Sequence, residues 1–78
     1  MYEMTFTEGS SKFTALCERD DEGFISETLE IFEETDHGSV KVNPGRFEQL
    51  VYEHESSIYM GLHNAYEYER DTVGHHYA

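Results

Sequence analysis

The sequence predicts an α+β fold in which a small antiparallel β-meander of three to four strands packs against one long C-terminal helix. Apolar and polar residues alternate two by two over the first eighteen positions, and turn signals recur at Gly9-Ser10-Ser11, Asp20–Gly23 and Asp36–Gly38. From Asn43 to Arg70 the apolar residues instead recur at helical spacing. A chain of 78 residues is one domain near the lower size limit for an independent core, with the sheet in 1–42, the helix in 43–70 and a tail in 71–78.

Tyr2, Met4 and Phe6 alternate with Glu3, Thr5 and Thr7, the pattern of a half-buried first strand. After the turn at Gly9-Ser10-Ser11, Phe13, Ala15 and Cys17 alternate with Lys12, Thr14 and Glu18, and Leu16 alone breaks the pattern by falling on the outer side. Asp20-Asp21-Glu22-Gly23 has the composition of a short hairpin loop. Residues 24 to 34 are read as a strand because hairpin signals stand on both flanks. Ile25, Leu29 and Phe32 also match helical spacing, which keeps a ββαβα arrangement as the alternative. Val40 and Val42 share one face of a short last strand. They are expected to join Tyr2, Met4, Phe6, Phe13 and Ala15 against the helix, while several of Glu27, Glu30, Glu33 and Glu34 gather with Glu3 and Glu18 on the opposite face.

The helix has its own start signal. Asn43 is a favoured N-cap, and Pro44 suits the first helical position, where its missing N–H has no intrahelical partner to lose. At ~100° per residue, Phe47, Leu50, Val51, His54, Ile58, Gly61, Leu62 and Ala65 fall on the core face, and Glu48, Tyr52, Glu55, Tyr59, His63 and Tyr66 on the other. The outward Tyr52, Tyr59 and Tyr66 form a stripe that predicts an interface with a partner, or else contact with a second sheet layer or with a second copy of the chain in a homodimer. Gly74 is the expected stop.

Charge bounds the function. There are 17 acidic residues against 5 basic ones, a formal charge of −12, which repels nucleic acid and anionic membranes and attracts basic surfaces. The acid is unevenly placed: Asp20, Asp21, Glu22, Glu27, Glu30, Glu33, Glu34 and Asp36 fall between positions 20 and 40, which hold no Lys or Arg. The N-terminal MYEMTFTEG has neither a basic region nor a long apolar run, and Cys17 has no partner for a disulfide, so a cytoplasmic location is expected.

Motifs for chemistry are missing. His54 and His63 lie on opposite helix faces, and there is no His-Glu-x-x-His, no cysteine pair and no calcium loop, so neither a metal nor another cofactor is expected. Cys17 sits inside an apolar alternation, and exposed acid pairs such as Asp20 and Asp21 have nothing to raise a pKa. No catalytic residue is assigned, and an enzyme is not expected. The reading that uses most of the chain is a binding protein whose carboxylates stand in for phosphates before a basic nucleic-acid-binding protein. Its partner-binding residues are then the eight acids above with Glu48, Glu55, Tyr52, Tyr59 and Tyr66.

In size, charge and want of motifs the whole chain resembles the small phage-encoded DNA mimics that inhibit bacterial defence, of the anti-CRISPR and anti-restriction type. The resemblance is one of profile, with no shared motif, so it transfers no residue roles. It implies a partner such as a CRISPR effector complex, met in the host cytoplasm at the surface that takes DNA. An antitoxin or immunity protein blocking a basic nuclease, and an acidic structural module adapted to salt, are the alternative classes that the same composition allows.

Overall fold

The computed structural model describes residues 1–77, with side chains described as far as Arg70. Strands β1 (Tyr2–Glu8) and β2 (Ser11–Cys17) form the first hairpin, and β3 (Arg19–Asp20) and β4 (Gly23–Phe24) a two-stranded ribbon. A 3₁₀ turn (Ser26–Thr28) follows, then β5 (Glu30–Thr35), β6 (Gly38–Lys41) and the helix α1 (Pro44–Tyr77). The main sheet is an antiparallel meander in the order β1-β2-β5-β6, as its sequence pattern predicts.

Register assigns the faces. Tyr2 pairs with Cys17, Met4 with Ala15, Phe6 with Phe13 and Ala15 with Ile31, so these side chains share the face that meets α1. Phe13, Ala15, Cys17 and Ile31 are fully buried there with Leu50, Ile58 and Leu62 of the helix. The two-residue turn between β1 and β2 requires a positive φ, which Gly9 supplies at 61°. Asn43 caps the helix as expected, its Oδ1 accepting from the Arg46 N–H at 2.8 Å.

The stretch read as one strand from 24 to 34 is divided. Phe24 pairs with Arg19 in the ribbon, residues 26–28 turn, and the strand proper begins at Glu30. Thr28 enforces the division, because its hydroxyl accepts from the Glu18 N–H at 2.9 Å and donates to the Ile25 carbonyl at 2.7 Å, tying the turn to the end of β2. Within β5, Ile31 points to the core and Phe32 away from it, so the helical spacing of Ile25, Leu29 and Phe32 has no structural counterpart.

Nor is α1 straight. His54 leaves helical geometry, at φ −123° and ψ 15°, and divides the helix into two arms. In the first arm Arg46 lies over the Phe13 ring at 5.4 Å and Phe47 faces Leu29, Ile31 and Val42. The second arm follows β1 from end to start, with His54 against Phe6, Gly61 against Met4 and Tyr66 against Tyr2. Val40, expected in the core, is 55% exposed because it lies on the edge strand, which α1 leaves at once as it runs over β2 to β1. α1 runs on past Gly74, the expected stop, and Ala78 of the expected tail lies outside the described residues. Among the described residues, no helix is long and apolar enough to cross a membrane.

Candidate functional site

Of the tyrosine stripe, only Tyr52 faces solvent, at 89% exposure. Tyr59 is half-buried beside the core, its ring 6.4 Å from Phe24. That burial, with the negative charge of Glu55 and Glu27 and the Cys17 sulfur nearby, pushes its phenol above the ordinary value. Tyr66 packs edge-on against Tyr2 at 5.7 Å, with the Arg19 guanidinium 4.0 Å above its ring. The expected outward stripe is therefore corrected for two of its three members. The kink at His54 falls between Tyr52 and the other two, which belong to the second arm, where Tyr59 meets Phe24 of the ribbon and Tyr66 meets Tyr2 of β1.

Charge is handled differently at the kink and at the ribbon. At the kink, Glu8 accepts from Arg46 at 2.8 Å and lies 3.0 Å from His54 Nε2. The His54 hydrogen bond, with help from Glu53 and Arg46 and against the opposing effect of burial, holds the Glu8 carboxyl below its usual range. Ligand atoms of Glu8, Glu53 and His54 lie within 4.8 Å of one another, the nearest approach to a metal-ligand set among the described residues. Because the Arg46 guanidinium already sits on Glu8, this set works as an ion-pair network tying both sides of the kink to the end of β1.

The ribbon end carries Glu18, Asp20, Asp21, Glu22 and Glu27, all exposed. Asp20 is locally engaged, its Oδ1 accepting from the N–H groups of Glu22 at 2.8 Å and Gly23 at 3.1 Å, which shapes the turn. The neighbouring cation, Arg19, lies over Tyr66 and Phe24 and donates to the Asp20 carbonyl at 2.9 Å, without an ion pair to any of these carboxylates. Among the described residues, the carboxylates within 4 Å of a basic side chain are Glu8, Glu30 and Glu67, none of them in this group.

The remaining predicted residues are spread more widely. Glu30 and Glu34 stand on the face of the sheet away from α1, whereas Glu33, in register with Phe13 and Val40, lies on the helix side. Asp36 is exposed in the β5–β6 turn at the far end of the sheet, and Glu48 and Glu55 are exposed on α1. The predicted acids are thus closest together at the ribbon end, and the others are spread over the outer sheet face, the β5–β6 turn and α1.

The outer sheet face adds what sequence reasoning did not place. Its row nearest the ribbon reads Glu3, Leu16, Glu30 across β1, β2 and β5; the next reads Thr5, Thr14, Phe32, Lys41; the third reads Thr7, Lys12, Glu34, Ser39. Leu16 and Phe32 are half-buried neighbours on this otherwise polar face. They line an open depression of about 300 Å³ with Glu3, Thr14, Glu34 and Ser39. The signal available in the sequence was Leu16, the single break in the alternation of the second strand.

Other features are structural. Cys17 is fully buried and its Sγ donates to the Ile25 carbonyl at 3.3 Å, which leaves no accessible thiol. A larger apolar groove of about 420 Å³ lies between Pro44 and Phe47 of α1 and Leu29, Ile31 and Val42. The charged side chains on its rim, Glu30 and Lys41, pair with each other at 3.6 Å. No protein-family model, no curated protein and no solved structure matches the chain.

Proposed function

We propose that this chain is an acidic binding protein that occupies the nucleic-acid-binding surface of a basic partner protein, its carboxylates standing where phosphates would. The observation that carries the reading is the ribbon end, where Glu18, Asp20, Asp21, Glu22 and Glu27 are exposed together while Arg19 is folded back onto aromatic rings. Like charges so placed repel one another and weaken the fold, and a basic surface relieves that repulsion on binding. Phosphate-binding grooves hold their ligands largely through release of counterions, which an array of carboxylates reproduces. The action is occupation of a surface and needs no reaction.

The DNA mimics that block bacterial defence, to which the composition points, act in this way. In that setting the partner is a defence effector such as a CRISPR complex, engaged in the cytoplasm at the surface that takes target DNA. The test is capture from bacterial lysate by the immobilised protein at low salt, with and without added DNA. The expected result is retention of a basic protein that DNA or moderate salt releases and that the Asp21→Asn, Glu22→Gln, Glu27→Gln variant fails to retain. Each carboxylate neutralised in this way should lower the slope of log affinity against log salt by roughly one unit or less. Retention indifferent to DNA, salt and the triple substitution overturns the reading.

A further inference from the structure

We infer that Leu16 and Phe32 form the anchor point of the partner surface, and that the partner docks there with an aliphatic or aromatic side chain flanked by arginine or lysine. The inference rests on the proposed function and adds the chemistry that gives such binding its specificity. A sheet with one open face ordinarily alternates cleanly between apolar inward and polar outward positions. β1 and β2 keep that rule at every outward position but Leu16, and β5 breaks it at Phe32. The two exceptions sit together across neighbouring strands and form the floor of one depression of about 300 Å³.

Charge complementarity names the occupant. Leu16 lies in register between Glu3 and Glu30, one strand to either side at ~4.8 Å spacing. On the far side of the depression, Glu34 is held in place by Thr14 at 3.2 Å and by Ser39 at 2.8 Å. Two lysines share the face. Lys41 sits on Glu30 at the β6 edge at 3.6 Å, and Lys12 is in register with Glu34 in the far row, so the uncompensated side of the face is the Glu3 side, which runs on into the ribbon end. A side chain entering the depression beside Glu3 brings its neighbours over that carboxylate and towards those of the ribbon end. A nucleic acid, whose bases would also stack on Phe32, is repelled through its phosphates by the same groups. Charge alone gives fast and poorly selective association, and a desolvated apolar contact inside a charged rim is what slows dissociation.

The experiment uses two short arginine-rich peptides of equal charge, one carrying leucines and one carrying serines in their place, titrated into the protein at low salt and followed by NMR. The leucine peptide is expected to bind about tenfold tighter or better, shifting the amides of Thr14, Leu16, Phe32 and Glu34. Leu16→Thr with Phe32→Thr should bring it down to the level of the serine peptide while the protein still melts cooperatively. If the double variant does not fold, Leu16→Thr alone makes the same comparison, because threonine is at home on an open strand face. Equal, salt-sensitive binding of both peptides overturns the anchor and leaves the charge reading standing. Binding of neither peptide at low salt overturns both. Shifts confined to other faces, or a dimer in sedimentation that the double variant dissolves, overturn the anchor, the latter by making this face a contact between two copies of the chain.

Discussion

Phe13 and Phe32 lie on neighbouring strands one step apart in register, yet they face opposite sides of the sheet. Phe13 is fully buried, stacked on Phe6 at 5.2 Å and roofed by Arg46. Phe32 lines an open depression with Leu16 among otherwise polar neighbours. The same side chain thus serves cohesion on one face and is left available on the other. A single helix can cover one face of a sheet, so stability is drawn from that face and residue choice on the other is free to answer to something else.

The largest effect expected from this contrast is in stability. Phe13→Ala should cost ~3–5 kcal/mol in urea denaturation, and Phe32→Ala ~1 kcal/mol or less. Equal losses would mean that the outer face is covered after all. A second substitution tests how closely the helix is seated on the covered face. At Gly61 an added Cβ would lie 2.5 Å from Met4 Cε and 3.0 Å from Met4 Cβ. Alanine gains ~1 kcal/mol of helix propensity over glycine, but the contact with Cβ cannot be relieved by rotating the side chain. Gly61→Ala is therefore expected to be destabilising by a net ~1–2 kcal/mol, with Met4→Ala in the same chain recovering part of the loss. A stabilised Gly61→Ala would show that α1 does not approach β1 this closely.

Most of the fold was legible because local signals and packing agree. The Asn43 cap, the glycine turns and the alternation through Tyr2, Met4, Phe6, Phe13, Ala15 and Cys17 each have one cheap solution, and the structure takes it. The surface was less legible. The helical wheel assumes a straight helix, whereas α1 kinks at His54, where the ring meets Glu8, 46 positions away in the chain, and no window of neighbouring residues contains that contact. The kink separates Tyr52 from Tyr59 and Tyr66, and it is why the three do not share an environment. Leu16 stood out as an anomaly, but its neighbour could not be found until β2 and β5 were paired. The corrected expectation for the stripe is that Tyr59→Ala costs ~1–2 kcal/mol of stability, through its packing on Phe24 and the core. Tyr52→Ala should change it by no more than ~0.5 kcal/mol. Matching melting curves for the two variants would restore the outward stripe.

The smallest effect expected is in pH dependence, and it compares carboxylates on the two faces of β1. Glu8, on the helix side, is held below the ordinary carboxylate value of 4.5 chiefly by the His54 hydrogen bond. A carboxyl that is more acidic folded than unfolded stabilises the fold above its unfolded pKa, and that contribution is lost as pH falls through the folded one. Glu8→Gln should therefore melt earlier than the parent at neutral pH. The gap should narrow once the solution is more acidic than about pH 4, where the parent carboxylate also takes up its proton. Glu3, on the outer face, is not within 4 Å of a basic side chain among the described residues, and Glu3→Gln should melt with the parent at neutral pH. A Glu8→Gln gap that stays constant into acid would mean that the Glu8 charge contributes nothing. The kink would then be held by the packing of His54 on Phe6, whose rings lie 5.2 Å apart, and the two faces would differ in packing alone.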